Sequence, residues 1–243
     1  MVRDHWYAIE RATQVGRKPR GIRRLDRPLV LWRGPDGRVL AAYDACPHRG
    51  AALSRGRVVD GCLECPYHGL RFDAEGACQR IPAHPDRDRS PWRLHPLPVV
   101  EERGLIWLWN GDGEPGPLPW SEDVQARLDA TSPTTIDLTE TFPVHYLRIM
   151  ENLTDVHHVP FVHRSTIPIR DPSVRDFEAR REGEDIVVQG TVGGLEARTL
   201  IRGPAFGVLE FGVATFVVAV TPVDGTHTWL FARYAQGVSN LPG

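Results

Sequence analysis

A chain of 243 residues and 27.2 kDa has room for one large domain or two small ones, each with a buried core, so it needs no disulfide stapling. Its 29 basic and 31 acidic residues leave a formal charge of -2, which provides no basic field for nucleic acid or an anionic membrane surface. Gly (23) and Pro (21) together exceed the usual share of about 12%, which argues for short strands joined by many loops and against a helical bundle.

Arg3, Asp4 and His5 precede any apolar run, so no secretory leader is expected and the cytoplasm is the expected compartment. Between Arg20 and Asp44, Pro28 to Trp32 and Arg38 to Tyr43 flank Gly34-Pro35-Asp36-Gly37 and predict a hairpin. Leu97 to Val100 and Gly104 to Trp109 predict two more strands. Asn110 to Pro117 then breaks every regular pattern, which places a domain boundary there and divides the chain into 1–118 and 119–243. Ser121 is read as the cap of a short helix ending near Ala130, and a second helix is expected from Pro143 to about His157. Its apolar stripe is Val144, Leu147, Ile149, Met150 and Leu153. From Asp176 onward Ile186 to Gln189, Leu195 to Ile201, Val208 to Val220 and Thr226 to Tyr234 read as an antiparallel sheet. Within it Phe211 to Val220, about half of the ~20 residues a membrane span requires, is read as one buried strand. The fold class is α+β, with an all-β first domain and a helix-plus-antiparallel-sheet second domain. No repeat or low-complexity tract occurs.

Chemistry concentrates in two loops, Cys46-Pro47-His48-Arg49-Gly50 and Cys65-Pro66-Tyr67-His68-Gly69, with 16 residues between His48 and Cys65. Each offers one thiolate and one imidazole. A [2Fe-2S] cluster with two thiolates on one iron and two imidazoles on the other needs such a pair of loops. Zinc also accepts Cys and His in a set of four, and Cys62-x-x-Cys65 has zinc-like spacing, but that knuckle leaves the paired loops unexplained. Cys62 and Cys78 are read as plain reduced thiols.

The C-x-H and C-x-x-H loops resemble those of Rieske proteins, and the resemblance assigns Cys46 and Cys65 to the buried iron and His48 and His68 to the outer one. Respiratory Rieske proteins add a disulfide between the loops; Ala51 and Tyr67 stand in that neighbourhood here, as in the oxygenase and ferredoxin branch. Leu70 departs from the Trp common after H-G in oxygenases.

The segment Glu151-Asn152-Leu153-Thr154-Asp155-Val156-His157-His158-Val159-Pro160-Phe161-Val162-His163 resembles the mononuclear iron motif E-N-x-x-D-x-x-H-x-x-x-x-H of Rieske non-haem oxygenases. Matched residue by residue, it implies His158 and His163 as ligands of a mononuclear Fe(II). Two imidazoles and one carboxylate on one face of the metal leave room for water, O2 and substrate. Asp155 matches the residue that bonds a ligand His and links to a neighbouring subunit's cluster, which implies a homotrimer. Asn152 matches one lining the iron pocket. His157 and His145 are assigned no role. The family's third ligand is an Asp on a helix beyond the sheet. Asp171, Asp176, Glu196, Glu210 and Asp224 lack that setting and none is nominated, so the catalytic domain is expected to be incomplete at its C-terminus, to bind mononuclear iron weakly, and to leave Phe216, Val218 and Trp229 partly exposed.

D-H-W-Y near the start, L-V-L-W-R, and C-P-Y-H-G followed by R-F-D are similar to the branch holding vanillate demethylases and pheophorbide or chlorophyllide oxygenases. The implied activity is reductive O2 activation. Electrons from an NAD(P)H-dependent reductase or a ferredoxin would cross the cluster to Fe(II), and a small organic substrate, aromatic or polycyclic, would be hydroxylated or demethylated. No G-x-G-x-x-G fingerprint for a nicotinamide occurs in this chain, in keeping with a separate reductase. The alternative is an electron-transfer Rieske protein with a degenerate second domain.

Overall fold

Short β-branched and apolar runs separated by Gly, Pro and Asp turns give ten strands in the first 110 residues of the computed structural model, which describes residues 1–132, 134–165, 167 and 169–237. The molecule falls into two units. One comprises Met1 and Trp6–Gly113; Val2–His5 joins the other, which continues from Glu114.

In the first unit β1 (Trp6–Arg11), β10 (Leu105–Trp109) and β9 (Val99–Glu102) form one antiparallel sheet. A second contains β2 (Arg20–Arg24), β3 (Arg27–Arg33) and β4 (Val39–Tyr43). The β3–β4 pair is the hairpin expected around Gly34 to Gly37, with Arg33 opposite Val39. A four-stranded sheet follows, β5 (Arg57–Val59), β6 (Cys62–Glu64), β7 (Arg71–Phe72) and β8 (Cys78–Arg80). Val30, Trp32, Leu53, Leu63, Leu70 and Phe72 share one core with Cys46 and Cys65. Each large apolar side chain sunk there contributes about 1.5–3 kcal/mol, so the metal-ligating type of residue is set in the stiffest part of the unit.

Gly56 shows how closely this core is drawn around the second loop. A Cβ on Gly56 would lie 1.9 Å from the Glu64 carbonyl oxygen, one residue before Cys65. Gly56→Ala is therefore expected to destabilise the first unit by about 1–3 kcal/mol, read as a lower urea midpoint by circular dichroism. An unchanged midpoint would show that the strands part without cost.

The second unit holds α1 (Glu122–Thr131), β11 (Thr135–Phe142), α2 (Tyr146–Thr154), a single turn α3 (Val159–Val162), and then β12 (Val174–Glu182), β13 (Asp185–Val192), β14 (Leu195–Arg202), β15 (Phe206–Phe211), β16 (Ala214–Pro222) and β17 (Thr228–Gln236). The last six strands form an antiparallel meander, and β11 closes its far edge against β17. Val124 and Leu128 of α1 are fully buried. Tyr146, Met150 and Leu153 of α2, spaced four and three residues apart, pack against Ile201, Val218, Val220 and Ala232 of the sheet.

Four expectations change. The helix expected over Pro143 to His157 is shorter, because His145 is extended and caps α2 through Nδ1 and the Leu147 N–H, while Asp155 is extended again and stops it. Phe211 to Val220 is not one strand: Gly212, at φ 56°, turns the chain so that Phe211 faces Ala214 across a hairpin. Val218 and Trp229 are buried rather than exposed, Val218 because α2 lies over it; only Phe216 is partly covered. Ser121 starts α1 without a side-chain cap bond, its hydroxyl instead receiving Arg202 Nη1 at 2.5 Å. Arg202 also grips Asp185 at 2.7 Å and Asp123 at 3.2 Å, which ties the helix start to β13 and β14. Among the described residues no helix is long and apolar enough to cross a membrane.

Candidate metal centres

The two Cys-His loops of the first unit fold alike. In each, the cysteine N–H donates to the carbonyl five residues on, Cys46 to Ala51 and Cys65 to Leu70, both at 2.8 Å. In each, a glycine four residues on returns its N–H to the cysteine carbonyl, Gly50 at 2.8 Å and Gly69 at 3.1 Å. Both glycines have φ near 70°, which a side chain would resist. Two copies of one tight turn thus present two thiols and two imidazoles side by side.

The donors separate by kind. Cys46 and Cys65 are 3% and 2% exposed, and their thiols lie within bonding reach of each other. His48 and His68 meet outside them, ring centroids 4.7 Å apart. A sulfur pair behind an imidazole pair suits a two-iron cluster. Burial pushes the Cys46 thiol up to about 11, the backbone N–H groups of His48 and Arg49 oppose this, and Cys65 adds to the rise. A thiolate there needs a cation, and the amides already aim at its sulfur. Burial, and then the charges of His68, Arg49 and Arg87, hold the His48 imidazole below its usual range, in the neutral form that binds metals. Cys62 and Cys78 are free thiols, and Cys78 Sγ contacts the Arg80 carbonyl at 3.4 Å.

Two aromatic side chains attend the imidazoles. The Tyr67 ring lies 3.9 Å from that of His68, centroid to centroid, and Trp92 stands edge-on to His48 at 5.8 Å. Reading the spacing of Cys and His misses Trp92, which is 44 positions from His48 and belongs to neither loop.

In the second unit α3 brings two imidazoles together. His158 precedes the turn and His163 follows it, and their Nε2 atoms lie 3.3 Å apart. Two nitrogens about 2.1 Å from a shared ion and at roughly right angles lie about 3 Å apart, so this pair fits one metal. Asn152 Nδ2 is 3.4 Å from His158 Nε2. On the other side of the ring, His158 Nδ1 is buried without a hydrogen bond, 3.6 Å from Asp155 Oδ2. Asp155 is held by the His157 N–H, which donates to Oδ1 at 2.9 Å. Buried Val156 packs with Val192 and Ala197, and Thr199 Oγ1 donates to the Leu153 carbonyl at 2.9 Å, so the sheet fixes both sides of the segment. Asn152, Asp155, His158 and His163 are thus assembled within twelve residues. His157 tilts against Phe177, ring centroids 5.1 Å apart, with its Nδ1 3.5 Å from Asp155 Oδ1.

No described Asp or Glu completes a set of three with this pair. Three of the acidic residues named above have other partners: Glu210 receives Arg127 and Arg198, Asp171 receives Ser173, and Asp224 receives Thr226 and His227.

Comparison with known proteins agrees with both halves. Residues 5–100 match the Rieske [2Fe-2S] domain, and residues 142–202 match the vanillate O-demethylase oxygenase C-terminal domain. The chain is 38% identical over 227 residues to the oxygenase component of dicamba O-demethylase from Stenotrophomonas maltophilia, covering 92% of this chain and 62% of that protein. It therefore spans about three fifths of that relative's length. A crystal structure of dicamba monooxygenase bound to 3,6-dichlorosalicylic acid superposes with a TM-score of 0.86 at 26% identity, covering 98% of this chain and 79% of that one. Another, holding non-haem iron and dicamba, superposes with a TM-score of 0.77 at 24% identity, covering 97% and 77%.

Proposed function

The chain belongs to the Rieske-type oxygenase large subunits, and we propose that it is the oxygenase component of a system in which a separate NAD(P)H-dependent reductase or ferredoxin supplies electrons for the hydroxylation or demethylation of a small organic substrate by O2. The observation that carries this reading is the presence on one chain of both donor arrangements, a thiol pair behind an imidazole pair and the His158–His163 pair at 3.3 Å. Cys46 and Cys65 would hold the inner iron of a [2Fe-2S] cluster, His48 and His68 the outer one, and His158 and His163 two positions of a mononuclear Fe(II). Bound there, these groups supply one-electron transfer and O2 activation.

The chain's own residues do the rest. Asp155 sits where it can receive a proton-bearing His158 Nδ1, which would leave Nε2 free to face the metal. Its exposed carboxylate suits a second task, meeting the cluster imidazole of a neighbouring copy in a homotrimer. Asn152 lines the metal face of His158 and orients what binds beside it. A demethylation is favoured by the names of the matched C-terminal domain and of the dicamba relative, both O-demethylases.

The absence of a third carboxylate among the described residues favours a second reading, an electron carrier whose second domain is not catalytic. Iron and sulfide analysis after anaerobic reconstitution and gel filtration separates them. A third iron held weakly beside the two irons and two sulfides of the cluster, restored by added Fe(II) after gel filtration and accompanied by low substrate-dependent O2 uptake in the presence of a reductase, is the expected result. Two irons to two sulfides with no uptake would assign the chain to the carriers.

A further inference from the structure

The two imidazoles of the first centre face different surroundings. His68 is covered by the exposed ring of Tyr67. His48 and Trp92 meet at an interplanar angle of 81°, and the Arg87 guanidinium lies over the Trp92 ring, 4.9 Å from its centroid. The positive charges of Arg49 and Arg87 both reach His48.

The segment carrying Arg87 and Trp92 is exposed from Pro82 to Pro91, yet it is anchored at both ends by buried Ile81 and Leu94. Within it Arg89 Nη1 donates to the Gln79 carbonyl at 2.6 Å and Arg93 Nη2 to the Glu75 carbonyl at 2.7 Å. The Leu94 N–H donates to the Gly76 carbonyl at 2.8 Å. These bonds go to carbonyls, so they hold the arginines without neutralising them. Between Cys78 and His95 four arginines stand against two aspartates, in a chain whose formal charge is -2. A negative molecule thus carries a local excess of positive charge in the segment whose Trp92 meets His48.

We propose that Arg49, Arg87 and the Trp92 edge form the docking face for an acidic one-electron carrier protein, which delivers its electron by way of His48. This rests on the functional reading above and deepens it. The carrier loses one electron and the cluster gains one; no proton or leaving group moves. Arg87 steers and holds the carrier by charge, and its stacking on Trp92 keeps the guanidinium beside the ring that meets His48. His68, under the Tyr67 ring, is left for onward transfer.

The test uses the cluster-loaded chain and an acidic plant-type [2Fe-2S] ferredoxin as probe. The dissociation constant of the oxidised ferredoxin is measured by calorimetry from low to high ionic strength, and cluster reduction by the reduced ferredoxin is followed by stopped-flow absorbance. Arg87→Glu is expected to weaken binding about tenfold at low salt and to flatten the salt dependence, as expected for loss of a steering charge at an interface. Arg87→Gln should have an intermediate effect, and Arg181→Glu, on exposed β12 of the other unit, none. Trp92→Leu is expected to leave the dissociation constant within twofold while slowing reduction within the complex.

Binding of Arg87→Glu within twofold of the unmodified protein at every salt concentration overturns the proposal. So does an equal effect from Arg181→Glu, or self-association of the chain that Arg87→Glu abolishes, which would give the face to a second copy. An unmodified chain that takes up no cluster overturns the functional reading as well, so the two failures are distinct.

Discussion

His158→Ala and His163→Ala proteins are expected to keep the red-brown visible spectrum of the unmodified chain and to lose the third iron, with substrate-dependent O2 uptake falling by more than about 100-fold. Loss of a side chain that merely supports a ligand costs about 10–100-fold in metal affinity or activity, and removing a ligand exceeds that. The spectrum survives because Cys46, His48, Cys65 and His68 are set by the core of the other unit. Asp155→Asn supplies the contrast. An amide oxygen can still accept the His157 N–H that now reaches Oδ1 at 2.9 Å, but the negative charge 3.6 Å from His158 Nδ1 is gone. Its effect on iron affinity is expected within the 10–100-fold range of a supporting residue. A third iron retained by His158→Ala at full occupancy, measured by metal analysis after gel filtration, would show that the imidazole pair is not the site.

Cys65→Ser is expected to remove the visible absorption almost entirely, whereas His68→Cys keeps a cluster and lowers its midpoint potential by on the order of 100 mV. The serine result follows from the site's burial: at 2% exposure water cannot support an alkoxide, and a hydroxyl ionises far less readily than a thiol. The cysteine result follows from charge. A neutral imidazole is replaced by a thiolate, the added negative charge stabilises the oxidised cluster, and clusters with four thiolates lie at about −400 mV against about −150 mV or higher for those with two imidazoles. An EPR-monitored redox titration reads the shift. An unchanged potential in His68→Cys would remove His68 from the ligand set.

Local chemistry was legible from residue order wherever the signal lay within one turn. C-P-H-R-G and C-P-Y-H-G each place a glycine four residues after the cysteine, and each adopts the same turn with φ near 70°. The hairpin around Gly34 to Gly37 and the irregular stretch after Trp109 were equally plain. The end of α2 was not. Its apolar stripe runs on through Val156, but Asp155 takes an extended backbone that periodicity does not register. The Phe211 to Val220 run hid a hairpin because Gly212 is a single residue inside an otherwise apolar sequence. Strand β11 stands outside the elements expected above; Ile136 and Leu138 are 57% and 58% exposed, and the strand is held by its backbone ladder to β17 rather than by burial.

Residue identity and spacing by themselves determined which side chains could ligate metal, in which two segments, and that a break separates them. Those properties depend on turns of a few residues, whose shapes follow from glycine, proline and the cysteine carbonyls that the next N–H groups reach. Only the tertiary structure decided that Trp92 stands edge-on to His48 with Arg87 over its ring, that Val218 and Trp229 are buried, and that the segment from Asn152 to His163 is fastened to the sheet through Val156 and Thr199. Such meetings join residues tens of positions apart, and they are set by the packing of whole strands and helices, in which no single residue carries the instruction.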